Sequence, residues 1–189
     1  MNIKDAPEIL LRSEKISLDL DEQTDRGLLN RIASGDKHAL REFFLRYQVR
    51  VRSLLRRISR SRESAEEIVI ETFVVVWREA HTFQGESRVL IWLFGIAYRL
   101  RLGYRLTEAA SSEESVEADL DDNPSGMTSR IDSLSESLVR LSFRQRTVIE
   151  LVYGLGLSCD EIASVMQCSM KTVKARLLHA RRNLDLGSL

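Results

Sequence analysis

Between Ser158 and Leu184 the chain reads SCDEIASVMQCSMKTVKARLLHARRNL, and its residue types suit contact with a polyanion. Lys171, Thr172, Lys174, Arg176 and His179, then Arg181 and Arg182, fall on the face opposite Val173, Leu177 and Ala180. Cations of this kind bind phosphate oxygens, while Lys, Arg, Ser and Thr also reach base edges. Ser158 with Glu161 forms a capping-box pattern for a short helix that buries Ile162, Ala163 and Met166. Gln167-Cys168 supplies a tight turn, and Ser169 is suited to cap a second helix whose first N–H groups face solvent and phosphate. The arrangement is a helix-turn-helix, with the second helix expected in the major groove of duplex DNA. Ser169, Lys171, Thr172, Lys174, Arg176, His179, Arg181 and Arg182 are the candidate DNA contacts.

Catalytic chemistry has no comparable pattern. His38, His81 and His179 stand isolated, no Gly-rich phosphate loop or HExxH occurs, and the carboxylates lie in surface wedges or polar strips. Cys159 and Cys168 lack CxxC spacing, which supports neither a disulfide framework nor a zinc site. An enzyme, a metal and a cofactor are therefore not expected.

The cations need a scaffold, and the composition favours helix. Among 189 residues there are 2 prolines and 9 glycines, with Leu, Arg, Glu and Ala recurring throughout. Alternating strand patterns with Asn-Gly turns are missing. The expected fold is all-α, with two small helical domains joined by a flexible acidic linker. In the first domain, Leu28, Leu29 and Ile32 start one helix, ending near Ser34-Gly35. Asp36 caps a second that extends past Ile58, and Ser64 with Glu67 opens a third running to about Ala80. A fourth spans roughly Val89 to Leu106. In the second domain, helices are expected at Ile131–Leu141, Ser142–Leu155, Ser158–Met166 and Ser169–Leu184.

The third helix is apolar nearly all round. Ala65, Ile68, Val69, Thr72, Phe73 and Val76 make one face, and Ile70, Val74 and Trp77 make a second stripe. Only a narrow wedge with Glu67, Glu71 and Arg78 is polar. Such a helix is either central in its bundle or carries a second surface for another protein.

The formal net charge of zero conceals a strong asymmetry. Residues 1–22, an N-terminal extension, carry a net of −3, and residues 23–106 a net of +7. Residues 107–129 hold seven acids and no base, whereas residues 130–189 carry a net of +3. Two basic domains flanking an acidic strip point to a polyanionic partner. The strip is expected to be a linker, because it buries too little to offset its ordering entropy. No run of about 18 apolar residues suits a membrane span, and the N-terminus has no secretory h-region. A cytoplasmic protein without membrane insertion is expected.

The chain resembles a sigma-70-type RNA polymerase sigma factor of the compact extracytoplasmic-function group. The resemblance lies in DRGLLNRIASGDKHALREFFLRY, SAEEIVIETFVVVW, TFQGES with IWLFGIA, and LSFRQRTVIEL with EIASVM and TVKARLLHARRNL. It covers about residues 24–185, and the order of the four stretches makes it specific. By resemblance, residues 23–106 form region 2 and residues 130–189 region 4. Glu66, Glu67, Ile70, Glu71 and Val74 would grip the coiled coil of the polymerase's largest subunit. The His81–Arg88 loop would capture an unstacked base of the −10 element with Phe83, Gln84 and Ser87. Arg88, Trp92, Arg99, Arg101 and Arg105 would complete that DNA surface, and the helix-turn-helix would read the −35 element. Capturing a flipped base offsets part of the cost of melting, and the arginines supply salt-sensitive attraction. The linker would thread the RNA path of the polymerase, and an anti-sigma factor is an implied partner.

Several positions depart from the family pattern. Asp is usual at Glu67, Gln at Ile70, Asn at Arg99, Asp at Gly103, Arg at Leu106 and Gly at Gln167, where a positive φ is wanted. Two other functions fit parts of the sequence. One is a sigma mimic that sequesters an anti-sigma factor; the other is a stand-alone helix-turn-helix regulator.

Overall fold

The computed structural model describes residues 22–59, 62–111 and 141–185, and every described element is helical. Helices α1 (Glu22–Ala33), α2 (Lys37–Ile58) and α3 (Arg62–Glu79) are followed by a 3₁₀ turn at Ala80–Thr82 and by α4 (Val89–Ser111). The second block contains α5 (Phe143–Ile149), continued by a π turn at Glu150–Gly154, then α6 (Cys159–Met166) and α7 (Met170–Asp185). The acidic strip beyond Ser111, the expected helix at 131–141 and the N-terminal extension lie outside the described residues, apart from Glu22 and Leu141.

Local chemistry sets most of the boundaries. The Asp36 carboxylate accepts from the N–H groups of His38 and Ala39 and so caps α2. Ser142 with Gln145 and Ser158 with Glu161 both form full capping boxes, the first unnoticed in the sequence. Three expected limits are corrected. Helix α2 stops at Ile58 rather than running past it, because Ser59 takes an extended conformation. Helix α3 starts at Arg62, so Ser64 lies inside its first turn rather than capping it. Helix α4 runs to Ser111, past the expected stop at Leu106, because Glu108, Ala109 and Ala110 are good helix formers.

The apolar face of α3 is buried as its periodicity requires, with Ala65, Ile68, Val69, Phe73 and Val76 in the core against α2 and α4. Phe43, Phe44, Tyr47 and Phe73 form an edge-on aromatic cluster there. Asp25, buried in α1, receives a hydrogen bond from the Tyr47 hydroxyl and pairs with Arg46 at 2.9 Å. Burial first, and then Asp25, push the Tyr47 phenol pKa upward, so this anchor of α1 on α2 stays protonated.

The two helical blocks pack against each other. One buried cluster runs from Leu28 through α4 to Val148, Leu151, Ile162, Val165 and Val173. Helix α4 is covered on one side by α3 and on another by α6, with Gly95 lying under the Val165 backbone. That double burial explains why α4 is almost continuously apolar from Val89 to Tyr98.

Candidate nucleic-acid interface

Helices α6 and α7 form the expected helix-turn-helix. The Ser158 hydroxyl accepts from the Glu161 N–H at 3.3 Å, and the Glu161 carboxylate accepts from the Ser158 N–H at 2.9 Å. Ile162, Val165 and Met166 hold α6 on the core, and Val173 and Ala180 hold α7. Between the helices Gln167 takes φ 48° and ψ 50°, the left-handed conformation that favours glycine. This turn angles α7 away from α6. At the start of α7 the Ser169 hydroxyl accepts from the Thr172 N–H at 3.1 Å and pairs with the Thr172 hydroxyl at 2.8 Å.

Lys171, Lys174, Arg181 and Arg182 are exposed on α7, whereas Thr172, Arg176 and His179 are half-buried. Arg176 donates to the Cys168 sulfur at 3.5 Å, and Arg181 donates to the Tyr153 hydroxyl at 2.9 Å and lies over its ring. The first two turns thus offer Ser169, Lys171 and Lys174 to a ligand without rearrangement, while Arg176 and Arg181 have protein partners. This is a cationic helix start fit for phosphate and base edges.

In the loop before α4, Phe83 packs edge-on against Trp92 with ring centroids 5.5 Å apart. Gln84 is exposed, and Ser87 and Arg88 are half-buried. Two residues of α1 that sequence reasoning missed complete this site. The Arg26 guanidinium donates to the Gly85 carbonyl at 3.2 Å and lies 5.9 Å from the Phe83 ring centroid. The Glu22 carboxylate accepts from the Val89 N–H at 3.1 Å. No local sequence signal joins Glu22 to Val89 across 67 positions.

The arginines of α4 do not form one open row. Arg99 is exposed, but Arg101 is only 2% exposed, with its guanidinium 5.8 Å from the Phe143 ring. Arg105 lies 4.8 Å from the same ring, and Arg88 pairs with Glu161 of α6. In this arrangement Arg101 is covered, because α5 and α6 pack on that side of α4. A buried guanidinium is tolerable there because the aromatic face supplies a cation–π contact.

On α3, Ile70 is 65% and Val74 50% exposed, whereas Trp77 packs on the core. The second apolar stripe is thus open over its first two members only. Glu66 is held by Arg52 at 2.8 Å and Arg56 at 2.6 Å, and these arginines lower its pKa. Glu71 accepts from the Tyr104 hydroxyl at 2.8 Å, and Glu67 is exposed. Leu45 and Val49 on α2 are also exposed, a pair at i, i+4 off the core face that the arginine-rich context obscured. Among the described residues no helix is long and apolar enough to cross a membrane, and no group of His, Cys, Asp or Glu is placed to hold a metal.

The family model for sigma-70 region 2 matches residues 43–109, and that for sigma-70 region 4 matches residues 131–184. The ECF RNA polymerase sigma-E factor of Escherichia coli (strain K12) is 30% identical over 182 residues, covering 87% of this chain and 94% of that protein. The chain belongs to the extracytoplasmic-function sigma-70 factors. The RNA polymerase sigma-H factor of Pseudomonas aeruginosa is 29% identical, with 88% of this chain and 94% of that protein covered. Among solved structures, CnrH in complex with the cytosolic domain of CnrY has a TM-score of 0.62 and 27% identity, covering 86% of this chain and 95% of that one. Sigma factor RpoE of Bartonella quintana, solved with the anti-sigma factor NepR, has the same TM-score of 0.62 at 22% identity, over 78% and 94% of the two chains. It shares the fold. In this sigma factor, region 2 thus covers most of α2 together with α3 and most of α4, and region 4 covers α5 to α7.

Proposed function

We propose that this promoter-directing sigma factor contacts core RNA polymerase through the exposed apolar stripe of α3 and reads DNA with two separate surfaces. Ile70 and Val74, flanked by Glu67, Glu71 and the Glu66 ion cluster, meet the coiled coil of the largest subunit. Region 4 reads the −35 element as duplex, with Ser169, Lys171, Thr172 and Lys174 on base edges and phosphates and Arg176, His179, Arg181 and Arg182 on the flanking backbone. Region 2 melts and reads the −10 element, with Phe83, Gln84 and Ser87 around a flipped base and Arg88, Trp92, Arg99, Arg101 and Arg105 along the strand. The observation that carries this reading is the exposed cationic start of α7 behind a locked helix-turn-helix, in a chain that matches both sigma regions.

Engaging both elements requires the blocks to part, since Arg88, Arg101 and Arg105 face region 4. With residues 107–111 inside α4, the acidic strip keeps 18 residues (112–129), which span at most ~60–65 Å when extended, enough for domains more than one DNA turn (~34 Å) apart. The solved relatives bound to CnrY and NepR support an anti-sigma partner for this chain as well. A factor that acts on polymerase works in the cytoplasm, as a binding factor rather than an enzyme, and the match to both sigma regions supports that reading. Run-off transcription with core polymerase on genomic fragments tests the reading. A sigma factor yields discrete transcripts that core alone does not; a mimic yields none, and a stand-alone regulator binds its operator without polymerase.

A further inference from the structure

Helix α4 opens at Val89. Ser87 and Arg88 precede it, and the Ser87 hydroxyl donates to the Arg88 carbonyl at 3.4 Å. A cap comes from α1. Both Glu22 carboxylate oxygens lie within hydrogen-bond reach of the Val89 N–H, at 3.1 and 3.2 Å. A carboxylate there satisfies an N–H that the helix leaves unpaired, and it also complements the positive end of the helix dipole.

The same carboxylate orients Arg26, whose Nε donates to it at 3.0 Å one helical turn away. The other end of that guanidinium donates to the Gly85 carbonyl and covers the Phe83 ring. Gly85 has φ +77°, and a Cβ at that position would fall 3.0 Å from Arg26 Nη1, so the loop is shaped around the guanidinium. One ion pair thereby fixes both ends of residues 83–88: Arg26 at Phe83 and Gly85, Glu22 at Val89. Helix α1 is itself immobilised between these two residues by the buried Asp25, bound to Tyr47 and paired with Arg46.

We infer that Glu22 and Arg26 are positioning residues that preorganise the 83–88 loop for capture of an unstacked −10 base. This rests on the assignment of that loop in the proposed function. A pocket fixed before DNA arrives spends no binding energy on ordering itself, so sequence discrimination depends on the strap. Removing a helix cap alone typically costs about fivefold to tenfold in an equilibrium constant.

The test assembles holoenzymes from core polymerase with the wild-type chain, Arg26→Ala, Arg26→Lys or Glu22→Ala. Each is challenged with a duplex promoter library randomised across the −10 region and, separately, across the −35 region, and open complexes are sequenced. The expected result is that Arg26→Ala and Glu22→Ala reduce −10 discrimination about tenfold while −35 preference stays unchanged. Arg26→Lys, which keeps the charge but loses the two-ended fork, falls between. Unchanged −10 preference in Arg26→Ala and Glu22→Ala overturns the inference and leaves the proposed function standing. A parallel loss of −10 and −35 preference with a lowered melting temperature also overturns it, since the pair is then only a fold element. If the wild-type holoenzyme shows −35 but no −10 preference, the assignment of the loop itself fails.

Discussion

The Tyr98 and Phe143 rings stack with centroids 5.8 Å apart and planes 5° from parallel, joining the middle of α4 to the first residue of α5. Around this stack Arg101 and Arg105 bring their guanidinium groups against Phe143, Arg57 pairs with Glu150 at 3.3 Å, and Arg88 pairs with Glu161. Cations assigned to a DNA strand thus serve as the cement between regions 2 and 4. The two uses exclude each other at Arg101, which is buried here.

Gly95 faces the second block, where an added Cβ would sit 3.8 Å from the Val165 carbonyl oxygen. Gly95→Ala fits that space and removes a helix-interior glycine, so it is expected to raise stability by up to ~1 kcal/mol in thermal unfolding. Gly95→Leu overfills the space, a change costing roughly 1–3 kcal/mol. The expected outcome is an unchanged helical circular dichroism signal with a larger radius of gyration in solution scattering. The released arginines would also steepen the salt dependence of non-specific DNA binding.

Glu161 serves both its own helix cap and the pair with Arg88 across the blocks. Burial alone pushes its carboxyl up, but the Ser158 backbone N–H, then Arg88, outweigh burial and hold it below the ordinary 4.5. A carboxyl whose folded pKa is lowered stabilises the fold above its unfolded value and loses that contribution as pH falls through the folded one. Acid denaturation of Glu161→Gln should therefore be less steep than wild type below the ordinary carboxylate range, with the two chains compared by their melting temperatures across the acid limb. Identical slopes would show that neither the cap nor the Arg88 pair adds pH-dependent stability.

Gln167 is the one non-glycine residue with positive φ among those described. Left-handed geometry costs a side chain of this type roughly 1 kcal/mol, which glycine avoids. Gln167→Gly is expected to raise the unfolding midpoint slightly and to preserve −35-dependent transcription. A drop in stability would mean that chain entropy in the unfolded state outweighs the relief.

Paired substitutions separate the partner surfaces. Ile70→Asp, at a position 65% exposed, should leave the circular dichroism spectrum intact and abolish co-purification with core polymerase. Lys174→Ala, also exposed, should keep polymerase binding and weaken initiation from −35-dependent promoters by ~1–3 kcal/mol if the side chain reads a base. Polymerase retention in the first variant, or full −35 response in the second, would detach that residue from its role.

Most of the helices and the whole helix-turn-helix were legible in the sequence, because 3.6-residue periodicity, serine and aspartate caps and a two-residue turn are local signals. The buried face of α3 followed from the same short-range rules, whereas the positive φ at Gln167 was expected from the family resemblance. Long-range geometry carried no such trace. Glu22 capping Val89, Arg26 reaching Gly85 and the burial of Arg101 on Phe143 join residues tens of positions apart. A cation on a helix reads the same in sequence whether it faces water, a phosphate or an aromatic ring. Which of these it meets was fixed only when α5 and α6 closed over α4, since burying that apolar helix on two sides outweighs leaving its arginines in solvent.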